Sequence, residues 1–339
     1  MISKAIQASA PGKLLLLGEY AVLEGAPALV TAVNRRAEVT LQDSEDQRWQ
    51  LSAPQLGLDG FILDNDGAIP DSTDEETKRV LRLFATVLQC VAEQIGALDA
   101  QQIHIDTGAF FHGNQKLGIG SSAAVAVALT GALLTALGKK PENELLFKLA
   151  AQAHQNAQGG VGSNVDIAAS VYGGTFIHQI NTAPKQISLP AGLYIQPVFT
   201  GRAASTPNLV KDVYRLREQS PSQFSAHMAA MTRLAELGRD ACQKADSAGL
   251  LELANKYHMA MRDLGHAAGA DIISRAHAEL HEIAMRAGFG YKPSGAGGGD
   301  IGLLFFQPPQ HIDSIHQKLK TAGFETIALE QCAPGFKVM

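Results

Sequence analysis

The sequence predicts a protein of two domains, an α/β domain followed by an α+β domain. Short apolar runs bounded by turn residues fill the first part of the chain and are typical of strands. The second half is mainly helical, because apolar residues that recur every three to four positions predict helices over 207–218, 221–246, 249–267 and 271–287. A strand–helix–strand pattern then ends the chain. With 339 residues, two cores are also the more common outcome than one.

The first half contains both strands and helices. The run Leu14–Leu17 lies between two glycines, so it predicts a buried strand. The segment Val171–Ile180 is typical of a strand pair interrupted by Gly173 and Gly174. Further strands are predicted at Ala28–Val30, Ala37–Leu41 and Ile103–Ile105, and further helices at 75–97, 121–137 and 142–157.

Two prolines, Pro184 and Pro190, mark a domain boundary near residues 183–195. A strand, Leu193–Phe199, follows them and opens the second half. After the helical block, the predicted order is a strand, a helix and a strand, at Ile301–Phe306, 309–322 and Phe324–Leu329.

Composition excludes several classes of function. The net charge of −5 provides no overall basic surface for nucleic acid. Cys90, Cys242 and Cys332 form no CxxC pair, which argues against a disulfide framework or a thiolate zinc site and favours a reducing cytoplasm. The N-terminal residues lack the apolar region of a signal peptide, and the apolar runs are too short to span a bilayer. We therefore expect a cytoplasmic protein without a membrane segment.

Eleven of the 33 glycines lie in four short segments, of which 116–124 gives the strongest signal. Gly118 and Gly120 allow the backbone to approach a ligand closely, and Ser121 and Ser122 could cap the helix that follows. Free amides at a helix N-terminus form a ready phosphate site, and serine hydroxyls can reach a magnesium ion. The alternative is a glycine turn with an ordinary N-cap. The Gly-Lys-Ser/Thr ending of a Walker loop is absent.

Two other glycine-rich segments have similar chemistry. The segment 292–300 carries four glycines within five residues and leads directly into an apolar strand, so an anion-binding loop is favoured over a flexible linker. In the segment 11–20, Lys13 lies at the start of the apolar run, and Glu19 and Tyr20 follow its end. The charged residues at the two ends of this strand are either only solvated or, together with the other two loops, form the wall of a site.

The segment 153–166 leaves a helix, crosses a Gly/Ser loop and presents Asp166, which could also be only a helix cap. His277 and His281 have the i,i+4 spacing that can chelate a metal, but no third ligand is evident, and a solvated helix face is the favoured interpretation. His154, His258 and His266 are interpreted as packing or surface residues.

Three of these segments resemble, in their order along the chain, the motifs of the GHMP small-molecule kinases. PGKLLLLGEYAVLEGAPAL is similar to the first motif of the family, KLGIGSSAAVAVAL to the second and KPSGAGGGDIG to the third. The resemblance implies an α/β ATP-binding domain over 1–188 and a ferredoxin-like α+β domain over 189–339. ATP and a small acceptor would bind in the cleft between them.

Within the family, the phosphomevalonate kinase subgroup is the most similar. Tyr20, Lys116, the segments 153–173 and 200–210, and Asp300 after the glycine run all resemble that subgroup. The resemblance implies ATP-dependent conversion of 5-phosphomevalonate to 5-diphosphomevalonate in the mevalonate route to isoprenoids. Two departures are Asn164, where a small residue is common, and Gln155, which lies near the place of a magnesium-binding glutamate of mevalonate kinases.

The resemblance also implies roles for individual residues. Lys13 and Asp166 would be catalytic, and Ser121 and Ser122 would bind Mg²⁺. ATP would be bound by Lys116, Gly118, Ile119, Gly120, Ser121, Ser122 and Ala123. The phosphorylated or carboxylated acceptor would be bound by Lys13, Glu19, Tyr20, Ser163, Asn164, Arg202, Ser205, Thr206, Ser294, Gly295, Ala296 and Gly297.

A phosphate acceptor changes the role that is expected of Asp166. A phosphate monoester is largely dianionic at pH 7, so its oxygen is already a nucleophile and a general base is less necessary. We expect Asp166 mainly to orient Lys13 and the acceptor. Lys13, Lys116, Arg202 and Lys292 are the candidate cations, although Arg202 and Lys292 could instead be solvated loop charges.

Three alternatives stay open. The acceptor could be an alcohol, with mevalonate first among the candidates. The chain could be an idle ligand-binding member of the fold, although the presence of Lys13, Ser121, Ser122 and Asp166 argues against that. A homodimer is one assembly that the sequence leaves open.

Overall fold

A computed structural model describes residues 5–160, 162–308 and 312–339 of the chain. Its first part, up to residue 186, alternates strands and helices, as the sequence predicts. The elements are β1 (Ile6–Leu17), β2 (Ala28–Asp43), β3 (Gln50–Ala53), β4 (Leu58–Ile62), α1 (Glu75–Gln94), β5 (Gln101–Asp106), β6 (Phe111–His112), β7 (Gln115–Lys116), α2 (Ser121–Ala136), α3 (Asn143–Gln158), α4 (Val165–Tyr172), β8 (Thr175–His178) and β9 (Lys185–Gln186).

The second part begins with a strand, continues through four long helices and ends in strands around one further helix. The elements are β10 (Tyr194–Phe199), α5 (Thr206–Gln219), α6 (Pro221–Gln243), α7 (Ser247–Ala268), α8 (Arg275–Arg286), β11 (Gly290–Pro293), β12 (Ile301–Phe306), α9 (Ile312–Thr321), β13 (Glu325–Thr326) and β14 (Lys337–Val338).

The first sheet forms around the long antiparallel pair of β1 and β2. Its strands follow the order β14-β1-β2-β5-β3-β4, and β8 and β9 extend it beside β2. Helices α2 and α4 pack on β1 and β2, and α1 and α3 pack against α2. Helix α2 is apolar on every side because it is buried between the sheet and these helices. Its N-terminus is therefore held rigidly next to β1.

The second sheet confirms the ferredoxin-like domain. Its four strands are antiparallel in the order β11-β12-β10-β13. This is the arrangement that a βαββαβ unit produces, here with the helices α5, α6, α7 and α8 between its first two strands. Because β12 lies in the middle of this sheet, the glycine-rich loop before it starts from a rigid strand.

Some of the predicted elements differ from the structure. The two predicted strands at 28–30 and 37–41 are one continuous strand, β2. Val171 and Tyr172 end helix α4, so the strand pair predicted from residue 171 is wrong, and only β8 follows the two glycines. A short apolar run fits either period, and here packing of α4 on β1 selects the helix. The strand predicted at Phe324–Leu329 is only β13.

The C-terminal residues return to the first sheet. Strand β14 pairs with β1, with Ala8 opposite Val338, and Gly173 forms a bridge with Pro334. This pairing covers an edge of β1 that would otherwise expose unpaired backbone groups. The predicted helix at 309–322 is α9, and residues 309–311 lie outside the described part of the chain. Among the helices that the structure describes, none is both long and apolar enough to cross a membrane.

Candidate active site

A cleft of about 920 Å³ lies between the two parts of the chain. One wall comes from β1, the N-terminus of α2, the end of α3 and the start of α4. The other wall comes from the segment after β10, helix α5 and the loop between β11 and β12. The residues predicted from the sequence that line this cleft are Lys13, Glu19, Tyr20, Lys116, Gly118, Gly120, Ser121, Ser122, Ser163, Asn164, Asp166, Ser205, Thr206, Ser294, Gly295, Ala296 and Gly297.

The N-terminus of α2 opens into the cleft without a side-chain cap. Gly120 is the N-cap and has a φ of 86°, a left-handed conformation that favours glycine. Ser121 and Ser122 are the first helical residues, and in the described chain no side chain caps this end. The predicted capping role of the two serines is therefore wrong. The open helix end, with its positive dipole, is suited to a phosphate group.

Hydrogen bonds connect the segment that leads into α2 to its neighbours. We call this segment (117–122) the phosphate loop. The Lys13 amide donates to the Ile119 carbonyl at 2.9 Å and so holds the loop against β1. The Ser122 hydroxyl lies 3.1 Å from His154 Nε2, and Gln158 Nε2 lies 3.0 Å from the same nitrogen. Burial lowers the pKa of His154, which favours the neutral ring, and since the Gln158 amide nitrogen only donates, Nε2 is the acceptor in these contacts.

Lys13 and Asp166 meet at the centre of the cleft. Lys13 Nζ lies 3.5 Å from Asp166 Oδ1, and the lysine is 7% exposed. Asp166 belongs to the first turn of α4, where the helix dipole favours a carboxylate. The N-cap of that helix is Asn164, which has a φ of 57°. An ammonium group next to an open helix end can hold a phosphoryl group, and the carboxylate can fix that ammonium in place.

The first and third glycine segments are hydrogen-bonded to each other across the cleft floor. The Leu15 amide donates to Ser294 Oγ at 2.9 Å, and the Tyr20 hydroxyl donates to the Ala296 carbonyl at 2.5 Å. The Gly295 amide donates to Glu19 Oε1 at 3.2 Å. These contacts bridge about 280 residues of sequence, so they join the two domains.

A buried ion pair lies beneath these contacts. Lys292 Nζ donates to Glu19 Oε1 at 2.5 Å, and the lysine is fully buried. Burial raises the pKa of the Glu19 carboxyl, and the facing ammonium opposes that shift. Lys292 is therefore not a solvated loop charge, and it does not line the cleft. In this structure it holds the floor of the site and does not face the acceptor space.

Three other predicted residues do not line the cleft. Ile119, within the phosphate loop, and Ala123, in α2, are both buried. Arg202 is half-exposed and lies 3.6 Å from Asp271, to which it is ion-paired. Their predicted binding roles stay predictions.

Comparison with known proteins decides the family. A model for the "GHMP kinases N terminal domain" matches residues 82–174, and a model for "GHMP kinases C terminal" matches residues 216–325. Together they match more than half of the chain. The chain belongs to the GHMP kinase family.

Two curated relatives and one solved structure match nearly the whole of this GHMP kinase. The phosphomevalonate kinase of Streptomyces sp. strain CL190 is 27% identical over 370 residues, with 98% of each chain covered. The mevalonate kinase of Thermococcus gammatolerans is 29% identical over 347 residues, again with 98% of each covered. The crystal structure of a Lin0012 protein from Listeria innocua has a TM-score of 0.86 at 23% identity and 99% coverage of each, which shows the shared fold.

His277 of α8 has a different role from the predicted one. His277 is fully buried, so the solvated helix face is wrong for it. Its Nε2 lies 2.9 Å from the Gly299 carbonyl and its Nδ1 2.7 Å from the Tyr291 hydroxyl. Since a carbonyl only accepts, Nε2 carries the proton and the tyrosine donates to Nδ1. Burial lowers the pKa of His277 to about 4, so the ring stays neutral and supports the third glycine loop.

Sequence reasoning missed the contribution of helix α5 and of two single residues. One face of α5 lines the cleft at Pro207, Val210, Lys211, Tyr214, Arg215 and Glu218. Its three-to-four spacing could have indicated a face, but not that the face is turned to a ligand space. His154 and Asp300 also line the cleft. Tyr20, Asn164 and Asp300 share a positive φ, a strained backbone state that is common at functional sites.

The cleft contains few donor atoms for a metal ion. The described residues of this kinase contain no group of three or more His, Cys, Asp or Glu residues that could hold a metal alone. Mg²⁺ in kinases is held largely by substrate phosphates and one or two carboxylates. The Asp166 carboxylate and the Ser121 and Ser122 hydroxyls are compatible with such a site.

Proposed function

We propose that this GHMP kinase transfers the γ-phosphoryl group of ATP to the phosphate of 5-phosphomevalonate, yielding 5-diphosphomevalonate and ADP. The observation that carries the proposal is the Lys13–Asp166 pair beside the open N-terminus of α2. The phosphomevalonate kinase relative, which matches along nearly the whole chain, supports the choice of acceptor.

The described residues line the cleft with four cationic side chains and with the carboxylates of Glu19, Asp166, Glu218 and Asp300. Among the described residues, Lys13, Lys116, Lys211 and Arg215 supply lysine or arginine side chains to its lining. Lys211 has no ion-pair partner in the described part of the chain. A phosphorylated acceptor beside ATP brings two strongly charged groups together, and cations on both walls reduce their repulsion.

The donor would bind at the phosphate loop. Its open amides and the nearby Lys116 would hold the ATP phosphates, as helix N-termini commonly do. Ser121, Ser122 and Asp166 would hold Mg²⁺ together with the substrate phosphates, and the ion would supply positive charge against the phosphoryl oxygens.

The chemical step needs positioning more than proton removal. The acceptor phosphate is largely dianionic at pH 7, so its oxygen can attack without a base. Lys13 would lie between the acceptor oxygen and the transferred group and lower their repulsion, and Asp166 would fix the Lys13 ammonium in place. The segments 203–206 and 294–297 would hold the rest of the acceptor.

A coupled assay of ADP release, run in parallel with phosphomevalonate and mevalonate, tests the proposal. We expect kcat/KM for phosphomevalonate to exceed that for mevalonate by at least roughly 100-fold, since unpaired cations would face the missing phosphate. A Lys13→Met variant controls for contaminating kinases. Faster turnover of mevalonate would overturn the proposal.

The second candidate is a mevalonate kinase. It is favoured by the Thermococcus relative, which matches at slightly higher identity over the same share of the chain. The same assay decides between the two acceptors. Absence of ADP release with either acceptor, and with a wider panel of small alcohols and phosphates, would indicate an idle ligand-binding protein.

A further inference from the structure

Asp300 ends the third glycine loop and is held in place by three backbone hydrogen bonds. Its amide donates to the Arg202 carbonyl at 2.8 Å, and its carbonyl accepts from the Thr200 amide and the Thr200 hydroxyl, each at 3.0 Å. Its φ is 57°, a conformation that costs most side chains energy and that aspartate tolerates better than most. The backbone is thus fixed in an unusual state that turns the side chain into the cleft.

The Asp300 carboxylate fills the space between the two walls of the cleft. Its Oδ1 accepts from the Ala204 amide at 3.2 Å, on the wall that belongs to the second domain. Its Oδ2 lies against Gly118 in the phosphate loop, where a Cβ on Gly118 would overlap the carboxylate. One side chain therefore touches the proposed donor side and the proposed acceptor side.

Asp300 interacts with two lysines of the proposed phosphoryl-transfer site. Lys13 and Lys116 both act on its carboxylate and oppose the effect of burial, which raises the pKa of Asp300. Burial lowers the pKa of Lys116, and Asp300 opposes that shift in turn. Lys13 is in turn paired with Asp166.

We propose that Asp300 is a positioning residue that sets the distance between the segment 203–206 and the phosphate loop. Its hydrogen bond holds Ala204, and its packing against Gly118 fixes how close the two walls come. The inference rests on the proposed function only in assigning 203–206 to the acceptor. Asp300 acts through these contacts and not by bonding to a reacting atom.

Two substitutions separate the hydrogen bond from the charge. Asp300→Asn keeps an oxygen that can accept from the Ala204 amide but removes the negative charge. Asp300→Ala removes both. Asp263→Asn is the matched control, because Asp263 is an exposed carboxylate paired with Arg262 on α7, away from the cleft. KM and kcat for the acceptor and the equilibrium Kd of ATP are measured for all three, together with thermal unfolding.

The two variants should differ in the KM of the acceptor. For Asp300→Ala we expect this KM to rise roughly 10- to 100-fold, as expected for the loss of a charge-assisted hydrogen bond. For Asp300→Asn we expect it to stay within about threefold of the wild-type value, since the acceptor for Ala204 is retained. The Kd of ATP should be unchanged or lower in both variants, because each substitution removes a negative charge from a site that binds an anion.

Two results would overturn the inference. One is an acceptor KM for Asp300→Ala within about threefold of that of the Asp263→Asn control. The other is an equal rise in both Asp300 variants, since the hydrogen bond would then carry no part of the effect. If the wild-type enzyme prefers mevalonate, the proposed acceptor is wrong, and the same comparison made with mevalonate still tests Asp300 separately.

Discussion

Replacement of Lys292 by methionine tests the buried ion pair under the cleft. In the native structure, Lys292 Nζ donates to Glu19 Oε1 at 2.5 Å, to the Leu15 carbonyl at 3.2 Å and to the Pro293 carbonyl at 2.5 Å. Methionine is similar in length but donates no hydrogen bond. The variant leaves the Glu19 carboxyl buried opposite an apolar chain.

The structure sets the size of the expected effect. Lys292 is fully buried and Glu19 is 1% exposed, so water cannot replace the lost partner. Removing one member of a buried pair costs about 3–5 kcal/mol, because the remaining charge is uncompensated. Glu19→Gln should also destabilise strongly. The double variant Glu19→Gln/Lys292→Met should lose less than the sum of the two single losses, since it leaves no buried charge.

Denaturant unfolding provides the measurement. The protein has a single tryptophan, Trp49, which is buried beside the first sheet and reports unfolding of the first domain by fluorescence. Circular dichroism follows both domains. Lys256→Met is the control, because Lys256 forms only an exposed pair with Glu252 on α7, and such pairs contribute about 0–1 kcal/mol.

The double-variant cycle decides the result. We expect an interaction energy between Glu19 and Lys292 above about 1 kcal/mol, as for residues in direct contact. Single losses that add within about 0.5 kcal/mol in the double variant would refute the reasoning, since the two groups would then act independently. A loss for Lys292→Met no larger than that of the control would refute it as well.

Three further predictions concern catalysis, pH and acceptor binding. Lys13→Met should lower kcat roughly 100- to 1000-fold and Asp166→Asn far less, and equal losses in steady-state kinetics would indicate obligatory base catalysis. Burial lowers the pKa of His277 to about 4 from an unfolded value near 6.5, so its stabilising contribution is complete above pH 6.5 and is lost as the pH falls toward 4. As the pH falls from 6 to 5, the free energy of unfolding in urea should decrease by about 1 kcal/mol more for the wild type than for His277→Gln. Equal decreases in the two proteins would contradict this. Lys211→Met should raise the KM of the phosphorylated acceptor about tenfold and leave the KM of ATP within about twofold. The control Lys185→Met, at an exposed lysine, should change neither KM. A larger effect on the KM of ATP would place Lys211 on the donor side.

Local patterns in the sequence were sufficient to predict much of the fold. The helices from residue 206 to 286 follow from apolar residues at three-to-four spacing, because a helix buries one face whatever it packs against. The positions of Gly118 and Gly120 similarly follow from a backbone that must take left-handed conformations. The error at Val171 and Tyr172 shows the limit, since a short apolar run does not distinguish a buried helix end from a strand.

The sequence by itself determined the elements, the glycine loops and the resemblance of three ordered motifs, because these depend on residues close together in the chain. Only the tertiary structure decided that Lys292 lies under the cleft floor, that His277 supports Gly299 and that Asp300 reaches Gly118. Each of these contacts joins segments that lie apart in the sequence. The burial and pairing of these side chains arise where distant segments meet, so no local pattern in the sequence indicates them.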